Sequence, residues 1–149
     1  PLALPNATPS QQWIHQAAAE QLRQFCDLTP NWDGYGALPL HEDTKANATL
    51  GLSIFKSFSR APEIVPNSNG TVSFEWQTDA GEALMEIGRT RFVASVRPVG
   101  STEFTSSGSA EDHSELSYLA AMISASLFPK ATQALTTTFY AAEYARSAA

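Results

Sequence analysis

Three kinds of side chain in this sequence could do chemistry. One is a carboxylate between aromatics in a glycine-rich stretch, Asn31-Trp32-Asp33-Gly34-Tyr35-Gly36-Ala37. Trp32 and Tyr35 could stack on a ligand or partner while Asp33 orients it, which is how loops on a rigid scaffold commonly bind. The same residues also support a purely structural reading. Asp33 can accept hydrogen bonds from backbone two residues on, the glycines permit positive φ, and the two aromatics can lie in the core. In that case the loop is fixed, folded onto the domain by its own aromatics in the manner of an omega loop.

The second kind is a set of carboxylates on alternating segments. Glu75 and Glu86 could share acid–base work if they faced each other. The pairing derived below sets Glu75 opposite Leu84 and Glu86 opposite Val93, so they meet only diagonally and read as a solvated face. Asp79 with Glu86 superficially resembles the acidic pairs of metal-dependent nucleases, but Asp79 falls in a turn and no lysine follows, so no metal site is predicted. The third kind is histidine. His15, His41 and His113 are far apart, in no ligand spacing, and read as surface or helix-start residues. The chain has no Gly-x-Ser-x-Gly elbow, phosphate loop or dinucleotide fingerprint, and Cys26 reads as buried at the end of a helix. No catalytic residue and no cofactor are predicted.

The elements that must position these groups centre on Thr71 to Pro98. Apolar residues alternate in Val72, Phe74 and Trp76, in Ala83, Met85 and Ile87, and in Phe92, Ala94 and Val96. That is the period of strands buried on one face. A turn at Asp79-Ala80-Gly81 pairs Trp76 with Ala83, Phe74 with Met85 and Val72 with Ile87. A second near Arg89-Thr90 pairs Ile87 with Phe92, Met85 with Ala94 and Ala83 with Val96. Glu75, Gln77, Glu82, Glu86, Arg91, Ser95 and Arg97 then share the polar face, with Glu82 opposite Arg97 as an ion pair. A slip of one residue would bury those charges.

Around this meander the pattern predicts a helix from Pro9, with Thr8 as N-cap, Gln11 closing a capping box, and a stripe of Ile14, Ala18, Leu22 and Phe25 widened by Trp13 and Ala17. A second helix runs from about Glu42 to Phe58, with Ala46, Leu50, Ile54 and Phe58 in line, Phe55 beside them, and Lys56 and Arg60 near its end. Ile64 and Val65 lead to the sheet edge. Phe104 sits on a short fourth strand, Ser106-Ser107-Gly108-Ser109 is a flexible link, and a third helix starts at Ala110, capped by Ser109. Its stripe is Leu116, Leu119, Ala120, Ile123 and Leu127. Residues 1 to 7 read as a flexible arm. Residues 130 to 149 form a tail, either a strand at Thr136 to Tyr140 or a helix from Tyr140 to Ala148. Leu135, Phe139, Tyr140 and Tyr144 would let that tail dock on a partner, most simply a second copy.

The expected fold class is α+β: a single domain with an antiparallel three- to four-stranded meander and two to three helices packed on one face. The 149 residues are 43% hydrophobic, enough for one core. A formal charge of −6, with nine scattered Lys and Arg, disfavours direct binding to nucleic acid. An acidic mimic of DNA would need an array such as Glu75, Glu82, Glu86, Glu111, Asp112 and Glu115 on one surface. The lone cysteine suits a reducing, cytoplasmic setting, no run nears the roughly 20 apolar residues of a membrane helix, and Pro1 to Pro5 does not read as an intact signal peptide.

The Asn31–Ala37 loop between two helices is followed by Pro62-Glu63-Ile64-Val65-Pro66 and Asn69-Gly70-Thr71-Val72-Ser73-Phe74-Glu75-Trp76. This order resembles a group of small uncharacterised bacterial proteins that share the loop and strand. The match covers about residues 20 to 97. The resemblance implies a bacterial or phage-borne origin and brings no activity. With no catalytic constellation in view, the expectation is a non-catalytic protein that binds another macromolecule, such as an inhibitor, antitoxin, immunity or anti-defence factor of a mobile element. The alternatives are a small-ligand protein or hydrolase using Trp32, Asp33 and Tyr35, or the acidic DNA mimic. The weaker binding candidates on the sheet are Glu75, Glu86, Arg91 and Arg97.

Overall fold

The computed structural model describes residues 9–129. The elements run α1 (Pro9–Cys26), α2 (Glu42–Ile54), a 3-10 turn (Phe55–Ser57), β1 (Glu63–Pro66), β2 (Val72–Thr78), β3 (Gly81–Ile87), β4 (Arg91–Pro98), β5 (Phe104–Ser109) and α3 (His113–Leu127). Among the described residues the strands form one antiparallel sheet in the order β1-β2-β3-β4-β5, with three helices. The α+β class is as expected, with one strand more than the pattern suggested.

The central register follows the alternation. Phe74 pairs with Met85, Trp76 with Ala83, Met85 with Ala94 and Ile87 with Phe92. All of these face the helices and are buried to 4% exposure or less. The hairpins are closed by hydrogen bonds: Gly88 N–H donates to the Arg91 carbonyl at 2.9 Å, and Ala80 N–H donates to the Thr78 side-chain Oγ1 at 3.2 Å. The extra strands come from both flanks. Ile64 and Val65 do not merely approach the edge; they pair with Phe74 and Ser73 as β1. The segment expected as a flexible link is instead β5, whose Ser106, Ser107 and Gly108 pair with Ala94, Val93 and Phe92. A glycine and a run of serines give little strand signal of their own but do not stop an edge ladder from forming. A Cβ on Gly108 would displace the exposed Glu115 carboxylate and stand 3.1 Å from Phe92 Cε1.

The helices differ more. The buried face of α2 is Thr44, Asn47, Ala48, Gly51 and Leu52, followed by Phe55 in the 3-10 turn. Ala46 is exposed, and Leu50 and Ile54 are half-buried. The helix is therefore rotated from the line of bulky residues. Small side chains let its backbone approach the sheet so closely that a Cβ on Gly51 would stand 3.0 Å from Ile87 Cδ1. It also ends before Lys56 and Arg60, and Arg60 instead reaches the Gln77 carbonyl at 2.6 Å. Tightening into the 3-10 turn delivers Phe55 onto Trp76 (centroids 4.8 Å apart) and Phe74 (6.2 Å), both near edge-to-face.

On α1 the buried residues are His15, Ala18 and Leu22, with Phe25 and Cys26 half-buried. Trp13 (71%), Ile14 (43%) and Ala17 are exposed, against expectation, because α1 packs on α2 and β1 at the margin of the layer. His15 is no surface residue: its Nε2–H donates to the Phe58 carbonyl at 2.8 Å. The expected Thr8 cap lies outside the described residues. α3 buries the expected Leu116, Leu119, Ala120, Ile123 and Leu127 but starts later, at His113. Ala110 is held to the sheet by its bond to the Thr90 carbonyl, so Asp112 caps the helix, accepting from Ser114 and Glu115 amides at 2.9 and 3.1 Å.

The rotation of α2 is testable. Gly51→Leu should cost about 1–3 kcal/mol in denaturant unfolding through overpacking against Ile87. Ala46→Leu should change stability by less than about 0.5 kcal/mol. The opposite ranking would restore the stripe through Ala46.

Candidate functional site

The loop between α1 and α2 is built by its own side chains. Asn31 adopts positive φ (65°), its amide donates to the Ala37 carbonyl at 2.7 Å, and its Oδ1 accepts from Gly36 N–H at 2.7 Å. Asp33 Oδ1 accepts from the amides of Tyr35 (2.8 Å) and Ala37 (3.0 Å). Trp32 is half-buried, and its Nε1–H donates to the Leu38 carbonyl at 2.9 Å. The loop is tied down farther on, where Leu38 N–H meets the Ser68 carbonyl at 2.8 Å. It is thus fixed, as expected, but not by two aromatics in the core. Tyr35 is 94% exposed. The hydrogen bonds already determine the backbone, so the tyrosine ring is left free to point outward.

These bonds also decide what Asp33 can do. The two backbone amides hold its carboxyl below the usual carboxylate range. A general base near neutrality needs the opposite shift. Among the described residues, no hydrogen bond or ion pair links Asp33 to Glu75, Glu86 or a histidine.

The sheet carboxylates lie on the side that the described helices leave uncovered. Glu75 is opposite Leu84 and Glu86 opposite Val93, as the register requires. Glu86 Oε1 accepts from Thr71 Oγ1 at 2.6 Å, which ties it to the turn before β2. Arg97 bridges Glu82 (2.5 Å) and Glu103 (3.5 Å). Arg91 is exposed at the start of β4 and makes no ion pair among the described residues. Leu84 and Val93 stand at the centre of this face, diagonal to each other on β3 and β4, 42% and 57% exposed. A shallow depression of about 280 Å³ lies between Glu75, Glu82, Leu84 and Arg97. That is smaller than the roughly 300–1,000 Å³ clefts that enclose small ligands.

The acids proposed as a DNA-like array are split. Glu75, Glu82 and Glu86 lie on the uncovered side, while Asp112 is spent as the cap of α3 and Glu115 lies over Gly108 next to it. Among the described residues no group of three or more His, Cys, Asp or Glu is placed to hold a metal ion. Cys26 is half-buried at the end of α1, and burial raises its thiol pKa. Sequence reasoning missed Asn47, whose Nδ2 donates to the Gly88 and Arg89 carbonyls at 3.0 and 2.9 Å and fixes the β3–β4 reversal from the helix side. An asparagine in the interior of a helical stretch, where it is a poor helix former, was the available signal. Leu135, Phe139, Tyr140 and Tyr144 lie outside the described residues, as does the choice between strand and helix there. No helix among the described residues is long and apolar enough to cross a membrane.

Because the folded state lowers the Asp33 pKa, its loop bonds are at full strength above the ordinary carboxylate value of about 3.9 and are lost as pH falls through the lowered value. Asp33→Ala should lower the melting temperature at pH 7, and the gap to the parent protein should close towards pH 2 in thermal scans followed by circular dichroism. A gap independent of pH would mean that the charge does not matter.

No family model, curated protein or solved structure matches this chain.

Proposed function

We propose that this chain is a non-catalytic protein that binds another protein through the uncovered side of its sheet. The observation that carries the reading is the Leu84–Val93 pair, exposed on the adjacent strands β3 and β4 inside a rim of Glu75, Glu82, Glu86, Arg91 and Arg97. An apolar centre with a charged rim is the anatomy of a protein interface. Covering the exposed part of each residue contributes on the order of 1 kcal/mol, and the rim adds orientation more than affinity. The net charge of −6 favours a basic partner.

The biological setting follows from the resemblance of the loop and first long strand to small bacterial proteins. An inhibitor, antitoxin, immunity or anti-defence factor of a bacterial or phage mobile element, acting in the cytoplasm, fits a small acidic domain that binds and does no chemistry. Reading the loop as a hydrolase site finds less support, since the carboxylate of Asp33 is already engaged by its own backbone.

Mass photometry of the chain mixed with the products of its neighbouring genes should reveal one complex. Leu84→Lys with Val93→Lys should weaken that complex by about 100-fold or more while leaving the fold intact, because both side chains already face water. A chain that binds none of those products, or a complex indifferent to both substitutions, would overturn the proposal.

A further inference from the structure

The two edges of the sheet are unlike. β1 is four residues long, bounded by Pro62 and Pro66, and carries Glu63. Proline and charge are the usual devices that prevent an edge from pairing. β5 has six residues, Phe104–Ser109, with neither proline nor charge, and among the described residues it pairs only with β4. Half of its backbone N–H and C=O groups therefore point away from the sheet, where water or another extended strand can satisfy them.

We propose that this strand is β5 of a second copy, joined antiparallel about a twofold axis at Ser106 to form one ten-stranded sheet. The register follows from charge. Thr105, Ser107 and Ser109 are paired with Ser95, Val93 and Arg91, so the odd-numbered residues of β5 share the uncovered side. Only registers that set odd against odd keep the two apolar faces on one side. Centring on Ser107 would bring Glu103 opposite Glu111 of the second copy, a like-charge pair.

Centring on Ser106 sets Thr105 opposite Ser107 of the second copy and Glu103 opposite its Ser109. Arg91 is the other neighbour of Ser109. Glu103 then stands two strands, about 9–10 Å, from Arg91 of the second copy, with only a serine between them and both side chains on the uncovered side. That distance is within reach of the two side chains, so Glu103, which lies 3.5 Å from Arg97 in its own chain, is shared between Arg97 and the second copy's Arg91, which lacks a carboxylate within the described residues. The twofold axis makes two such pairs. On the helix side Glu115 lies over Gly108, and Tyr118, one turn along the same flank of α3, is 69% exposed and supplies apolar cover to the seam.

An interface of this length buries less than the roughly 1,200 Å² of a standard complex, so dissociation in the micromolar range is expected. The inference rests on the β5 edge alone. Leu84→Lys with Val93→Lys should leave the dimer unchanged, which separates it from the docking function.

Sedimentation equilibrium of the full chain should show the mass rising from 16.0 kDa towards twice that value between about 1 µM and 1 mM. Arg91→Glu should weaken association about tenfold, and adding Glu103→Arg should restore it. In a Cys26→Ser background, oxidation should crosslink Ser106→Cys, since opposed strand residues stand within disulfide reach, and leave Glu63→Cys monomeric. A mass fixed at 16.0 kDa overturns the proposal. So does crosslinking through Glu63→Cys alone, or association indifferent to the charge exchange. A monomer whose β5 amides are as protected from hydrogen exchange as those of β3 also overturns it, since the edge would then be covered within one chain.

Discussion

The contact of Phe55 with Phe74 and Trp76 joins the helical layer to the sheet, and the remaining packing depends on it. Phe55 is fully buried, and its ring meets both partners near edge-to-face. Phe58 extends the cluster to Trp76 and to Phe128 beyond α3, so one run of rings spans the joint between α2, the sheet and the end of the third helix. Such pairs add about 0.5–1.5 kcal/mol each beyond their buried area. More important is where they act. They sit where α2 ends, so they set the height at which the helix crosses the strands, while Gly51 and Ala48 allow it to lie close.

That inner contact governs the outer face. Phe74 and Trp76 are two residues apart on β2, so Glu75 between them must point the other way, and the pairing then dictates that Leu84 lies beside it. No residue on the uncovered side chooses its own neighbours. Their arrangement is inherited from the alternation opposite, and a change of register would bury Glu75, Glu82 and Glu86 together at a prohibitive desolvation cost. Any partner of this surface therefore meets a pattern that the core enforces.

The sheet was legible because its signal is redundant: three segments alternate with the same period, and two short turns admit one pairing. The phase of α2 was not. Its line of apolar residues, Ala46, Leu50, Ile54 and Phe58, suggested one face, whereas packing chose Thr44, Asn47, Ala48, Gly51 and Leu52, where small volume and an amide donor matter as much as hydrophobicity. β5 was hidden for a related reason. Four serines and threonines around a glycine look like a linker until Ala94, Val93 and Phe92 offer them a ladder. In the loop, the part played by Asp33 could be derived from local geometry, but the exposure of Tyr35 could not, since nothing local to a tyrosine says whether a neighbour will cover it.

Tyr35 and the Leu84–Val93 pair share a property that bears on how this protein can bind. Each is apolar or aromatic surface left in water on backbone that is already fixed, in one case by the Asn31 and Asp33 hydrogen bonds and in the other by ladders on both sides. Ordering a loop on binding typically consumes several kcal/mol of interaction energy, and neither surface needs it. Affinity at such sites is set by the fit of the partner, so both favour rigid docking of a folded surface over the wrapping of a flexible one. The loop extends from Trp32 to Leu38 and is tied to the β1–β2 turn at Ser68, the same turn whose Asn69 and Thr71 hold Glu86 at the rim of the open face. The continuity between the two surfaces runs through hydrogen bonds and not through mobile segments.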